Sequence, residues 1–219
     1  MKYNHLPQKQ GLYDPRFEHD SCGVGFVCDV KGRKSNQIIR QSLEVLRRLS
    51  HRGATGADPR TGDGAGLLIQ IPHDFFLKVC RENKIDLPAE GEYGVGLVFL
   101  PRDEKERKFC KNVFARIIRD EKQILLGWRS VPVDGSNIGK IAQDTQPAME
   151  HVFIGQGEYM SAKNHGGSAQ DKLEIDGLNF ERKLYCLRKK IENAVRLSDL
   201  KEKSVFYIPQ FNKEVQRLG

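Results

Sequence analysis

The chain has 219 residues, enough for one domain with a proper core, and it carries no apolar run near the ~20 residues that span a bilayer, which excludes a membrane-spanning helix. Five cysteines, Cys22, Cys28, Cys80, Cys110 and Cys186, are odd in number and form no C-x-x-C pair, so neither a disulfide framework nor a zinc site is expected and a reducing cytoplasm suits them. The net charge of +7 invites a nucleic-acid partner, yet Arg182, Lys183, Arg188, Lys189, Lys190 and Arg196 fall on a helical pattern whose other face is Leu184, Leu187, Ile191 and Val195, the signature of a solvated surface.

From the N-terminus, Met1 to Ser21 holds Lys2, Lys9, Asp14, Arg16, Glu18 and Asp20 with no apolar core. That excludes a secretory signal, and the acidic residues argue against a transit peptide. A propeptide or a plain N-terminal extension remains. Next comes Cys22-Gly23-Val24-Gly25-Phe26-Val27. A cysteine that begins a mature chain carries an α-amino group beside its thiol. That amine titrates at about 7.7–8.0, against about 10.4 for lysine, so it can accept a proton at neutral pH while the thiolate acts as nucleophile. The reading requires cleavage between Ser21 and Cys22.

Residues 23–30 read as a strand, and Ser35 or Asn36 caps a helix with Ile38, Ile39, Leu43, Leu46 and Leu49 on its apolar side. His51-Arg52-Gly53 has the form of a helix end, a basic last turn closed by a glycine. Asp58 and Asp63 read as turn residues. A strand over Gly66–Ile71, a helix over His73–Asn83 and a strand over Tyr93–Leu100 follow. Asp103 and Glu106 have capping-box spacing before a helix whose buried stripe is expected at Phe109, Val113, Phe114, Ile117 and Ile118. Strands are expected at Ile124–Val133, closed by the turn Asp134-Gly135, at His151–Ile154 and at Val205–Ile208, with a glycine-rich loop over 155–177 and a basic helix over 178–197. His73 and His151 read as structural or exposed rather than as ligands.

Such alternation by default suggests a parallel doubly wound sheet. Two features weaken that default. The first strand starts directly at Cys22, and no glycine-rich turn leads a strand into a helix: Gly23-x-Gly25 lacks a third glycine, and Gly62–Gly66 precedes a strand.

Cys22-Gly-Val-Gly-Phe, Leu49-Ser-His-Arg-Gly-Ala54, Thr61-Gly-Asp-Gly-Ala-Gly-Leu-Leu68, Tyr93-Gly-Val-Gly-Leu-Val-Phe-Leu100 and Gly127-Trp-Arg-x-Val-Pro132 stand in the order and spacing of the class II glutamine amidotransferase domain that opens the glutamate synthase large subunit. The resemblance runs from Leu12 to Ile208. It implies an α+β fold, the four-layer αββα sandwich of N-terminal nucleophile hydrolases, incomplete at its C-terminal end. It also implies a leader over 1–21, removed to expose Cys22, and a glutaminase domain over 22–219. In that family the cysteine attacks the glutamine side-chain amide, releases ammonia and passes through a γ-glutamyl thioester. Cys22 matches the nucleophile, and Arg52 and Gly53 match the His-Arg-Gly motif that supports it.

The resemblance implies no cofactor in this chain, and FMN and an iron–sulfur cluster in the complete enzyme, where ammonia aminates 2-oxoglutarate. Its partners would be glutamine, the synthase domains of the parent or a separately encoded remainder, and the small NAD(P)H-oxidising subunit; no nucleic acid and no membrane are expected. The family's oxyanion donors come from an Asn-Gly pair, and its carboxylate-holding arginine from a segment resembling Arg-Phe-Ser-Thr. Neither occurs after Cys22 in these residues, and the sequence after Ile208 departs from the family pattern. The expectation is therefore the first part of a glutaminase domain, poorly stable and inactive by itself; the alternative is a catalytically inactive remnant with a regulatory or interaction role.

Overall fold

The computed structural model describes residues 9–11, 14, 23–53, 60–62, 64–157 and 169–213, by backbone alone over 169–178 and at 213. In chain order its elements are α1 (Asn36–Arg48), a 3-10 turn (Leu49–Arg52), α2 (His73–Glu82), β1 (Tyr93–Leu100), α3 (Glu104–Asp120), β2 (Ile124–Ser130), α4 (Lys140–Thr145), β3 (Ala148–Gly155), α5 (Ala169–Arg196), a 3-10 turn (Lys203–Val205) and β4 (Phe211–Lys213). They fall into two compact units, Met1–Ile69 with Asp134–Thr145, and Gln70–Val133 with Gln146–Gly219.

The larger unit is built on a four-stranded sheet of order β2-β3-β1-β4 in which every pairing is antiparallel. The fold is thus mixed helix and sheet, and among the described residues it has no parallel ladder of the kind that alternation suggests by default. Tyr93 lies opposite Gly155 and Leu100 opposite Ala148, so the period-two alternation of β1 and β3 sorts their side chains onto two faces. Val98, Leu100, Val152 and Ile154 pack against the stripes Cys110, Val113, Phe114, Ile117, Ile118 of α3 and Phe180, Leu184, Leu187, Ile191, Val195 of α5. On the other face Tyr93, Val95 and Phe153 meet Phe76, Val79 and Cys80 of α2, with Ile71 and Ile85 beside them.

Each helix is closed by chemistry that the sequence carries. Ser35 caps α1 by accepting from the Gln37 amide at 3.1 Å. Asp103 caps α3 by accepting from the Glu106 amide at 2.9 Å. The reciprocal half of that capping box is not made. The Glu106 carboxylate instead accepts the Lys201 and Glu202 amides at 2.9 Å, and Glu202 accepts the Arg102 amide at 2.8 Å, a carboxylate exchange that ties the start of α3 to the turn after α5. At their C-terminal ends α2 and α3 finish in the same way. Lys84 and Lys122 take positive φ, and the amides of Ile85 and Gln123 reach back to Cys80 and Ile118, a Schellman closure with lysine where glycine is usual.

Several expectations need correction. Phe109 is 42% exposed and Cys110 takes its place, because the i, i+3, i+4, i+7 stripe runs through Cys110, Val113, Phe114 and Ile117. Residues 23–29 and 66–71 carry no strand ladder. β2 stops at Ser130, while β3 begins earlier, at Ala148. α5 begins at Ala169, inside the segment read as a loop: its glycine and polar content is outweighed by continuity with the packed turns from Phe180 to Val195. Val205–Ile208 is not a strand. It gives one bridge, Tyr207 to Phe99, and since Pro209 has no amide to donate, the ladder resumes only at Phe211.

The basic face of α5 is largely engaged by carboxylates: Lys183 and Lys190 on Glu121, Arg188 and Lys189 on Glu192. Within the sheet the buried Glu150 is paired with Lys111 at 2.6 Å, whose ammonium also lies 5.1 Å from the Trp128 ring centroid.

Candidate functional site

Cys22 lies outside the described residues, as do Asp58, Asp63 and most of the leader. The geometry begins at its neighbour Gly23. From there the backbone passes close against α1 and the turn after it. A Cβ on Gly23 would stand 3.0 Å from Leu49 Cδ2, and one on Gly25 2.7 Å from Val45 Cγ1. Val45 is β-branched and stiff at χ1, so it cannot swing aside. The Gly-x-Gly spacing therefore serves backbone-on-helix contact rather than phosphate binding. Val24 and Phe26, between and after the glycines, are each 89% exposed.

The segment ends in a fixed turn. Asp29 accepts the Lys31 amide at 2.8 Å and holds the Arg33 guanidinium through Nε and Nη2, which keeps its carboxyl below the usual range. At the other end of the contact, Leu49 opens the 3-10 turn that carries His51 and Arg52. His51 Nδ1 lies 2.8 Å from the Arg48 carbonyl oxygen, and the Gly53 amide donates to Ser50 at 3.3 Å. Gly53 does close this turn, but with extended angles, φ -90 and ψ 143, and not in the left-handed conformation typical of a glycine cap. The fold thus places the residue after Cys22 on Leu49, at the start of the turn that presents Arg52.

Among the described cysteines, Cys28 and Cys186 are exposed and Cys80 and Cys110 are buried. Burial pushes the Cys80 thiol up and the Cys110 thiol up to about 11, so neither supplies thiolate near neutral pH. Among the described residues no three His, Cys, Asp or Glu side chains converge as a metal site, and no helix is long and apolar enough to cross a membrane.

Sequence reading missed one pair. His151, read as structural or exposed, is half-buried between Phe76 and Phe153, and its Nδ1 lies 3.3 Å from Arg129 Nη1. Only the β2–β3 register, which sets Arg129 opposite His151, reveals it. Burial, and then the Arg129 charge, push the imidazole down to about 4. Because the folded pKa lies below the unfolded value, the unfolded chain binds the proton more readily, and stability is lost as pH falls from about 6.5 towards 4. The full shift would correspond to about 3 kcal/mol, and solvent screening of the partly exposed ring reduces the cost below that. Urea denaturation at neutral pH and at pH near 4 should show that loss in the wild type and a smaller one in His151→Gln; equal losses would refute the assignment.

A family model for class II glutamine amidotransferases matches residues 22–216. The chain is 47% identical over 193 residues to the glutamate synthase (NADPH) large chain of Bacillus subtilis strain 168, covering 88% of this chain and 12% of the relative. It is 38% identical over 209 residues to the glutamate synthase (NADH) of Schizosaccharomyces pombe, covering 95% and 9%, and 37% identical over 189 residues to the ferredoxin-dependent glutamate synthase 2, chloroplastic, of Arabidopsis thaliana, covering 86% and 11%. The chain thus spans about a tenth of the length of these relatives. With the family match starting at Cys22 and running through both compact units, the chain belongs to the class II glutamine amidotransferases.

Proposed function

We propose that this chain is the glutaminase part of a glutamate synthase and that Cys22, freed by removal of residues 1–21, is its nucleophile. The start of the family match at Cys22 is the observation that carries the reading. The seating of Gly23 and Gly25 on α1 supports it, since it gives the glycines after Cys22 a positioning role beside the turn of Arg52 and Gly53. The fold type that goes with this reading is the four-layer αββα sandwich, and the cysteine usage fits a cytoplasmic setting.

The chemistry balances within one residue and its substrate. The α-amino group takes the thiol proton, and the thiolate of Cys22 attacks the side-chain carbonyl carbon of glutamine. The C–N bond breaks, the proton passes to the leaving group, and ammonia departs to leave a γ-glutamyl thioester. Water then cleaves the thioester, releasing glutamate and restoring the thiol. Arg52 and Gly53 support the site. In the parent enzyme ammonia reaches synthase domains that carry FMN and an iron–sulfur cluster, and the small NAD(P)H-oxidising subunit is a further partner. Iron–sulfur clusters are held by several Cys thiolates. Those thiolates are expected from the synthase domains of the parent.

A second reading is a catalytically inactive remnant with a regulatory or interaction role; a working site needs oxyanion donors, which in this family come from an Asn-Gly pair. Each such donor is worth on the order of 3–4 kcal/mol. Intact-mass measurement and N-terminal sequencing of the protein purified from its own source separate the two. A chain beginning at Cys22 is expected; a retained Met1 would favour the remnant.

A further inference from the structure

The sheet face under α2 carries a second chemically competent group. Arg129 on β2 and His151 on β3 are register partners and project from one face. A guanidinium can only donate, so the 3.3 Å contact from Arg129 Nη1 makes His151 Nδ1 the acceptor and places the proton of the neutral ring on Nε2. The guanidinium also lies 5.6 Å from the centroid of the half-exposed Phe75 ring, while Phe76 stands edge-on to the imidazole at 5.4 Å. A cross-strand hydrogen bond and an aromatic face therefore fix the Arg129 fork.

Among the described residues no carboxylate pairs with Arg129, and no buried side-chain nitrogen or oxygen is left without a partner. Arg129 and His151 are both only partly buried, which leaves their remaining N–H groups available to a ligand. The group is one fixed positive charge, donors without acceptors, and an apolar ring alongside. Planar bidentate donors match a carboxylate, and a single cation balances one negative charge. A phosphate dianion would need a second cation, and a neutral ligand would leave the charge unmatched.

We propose that Arg129 and His151 form a binding site for a small carboxylate monoanion, in which the guanidinium takes the carboxylate oxygens and His151 fixes its orientation. This site does not depend on Cys22. The test is an NMR titration of the isotopically labelled full chain with sodium acetate, read at Arg129 Nε–H and the His151 ring. Sodium chloride at equal ionic strength and sodium phosphate are the other arms. Acetate should give a saturable shift at both residues, chloride none that saturates, and phosphate binding about tenfold weaker or less. Arg129→Gln should abolish the acetate response and Arg129→Lys weaken it about tenfold. An acetate response that does not saturate, one matched by chloride or phosphate, or one retained in Arg129→Gln overturns the proposal. Should the glutamine variant fail to fold, the three-arm comparison on the wild type decides alone.

Discussion

In the parent synthase proposed above, Cys22→Ser should abolish glutamine-dependent glutamate formation while leaving synthesis from added ammonium in place. The serine hydroxyl is a far weaker nucleophile at neutral pH than a thiol partly ionised beside an amine, and losses at a nucleophile that acts as a unit with its base run to about 1000-fold or more. The ammonium reaction needs no thiolate, so it serves as an internal control for folding. The measurement is glutamate formation from 2-oxoglutarate with glutamine and, separately, with ammonium chloride as nitrogen source. A variant that used glutamine at near wild-type rate would remove Cys22 from the mechanism, whatever its family position.

The largest effect on stability should come from Phe114→Ala. Its ring, 0% exposed, stands edge-on to Trp128 of β2 at 4.8 Å and within 6.3 Å of Phe206 and Phe211. One side chain thus joins α3 to an edge strand and to the segment that supplies β4. Truncation removes the transfer term and leaves a cavity that several rigid rings cannot collapse to fill, for a loss of about 3–5 kcal/mol. Thermal denaturation should show a drop on the order of 10 °C, with Phe114→Leu intermediate. An alanine variant within a degree or two of wild type would mean that this ring is not central to the core.

The elements legible in the sequence are those whose local chemistry and packing agree. Ser35, Asp103 and the apolar run Tyr93–Leu100 each declare an element through a cap or a run of residues buried on both faces, and the fold keeps all three. Phe109 misled because hydrophobicity alone cannot choose between neighbouring helical stripes; Cys110 wins by standing three and four residues before Val113 and Phe114. Residues 23–29 look strand-like for a reason unrelated to a ladder: their small residues let the backbone lie on Val45 and Leu49. β4 was hidden by its shortness and by Pro209 before it.

The candidate site shows the same division. Cys22 and Arg52 are recognisable from motifs, since each is a residue type in a fixed local string. The Arg129–His151 pair is not, because 22 residues separate its members and only strand register joins them. Gly53 lies between these cases. Its place at the end of a helical turn is evident from sequence, whereas its extended backbone is set by the turn's tertiary setting.

The central claim, that Cys22 is the activated thiol, is met most directly by treating the full-length protein with a glutamine-mimicking diazo-ketone and mapping the label by peptide mass spectrometry. An α-amino base beside the thiol makes one cysteine react ahead of all others, and substrate mimicry directs the reagent to the glutamine site. Stoichiometric labelling at Cys22, with glutamine protecting and with Cys28, Cys80, Cys110 and Cys186 unmodified, is the expected result. Label spread evenly over those four cysteines and Cys22, with no protection by glutamine, would contradict the claim.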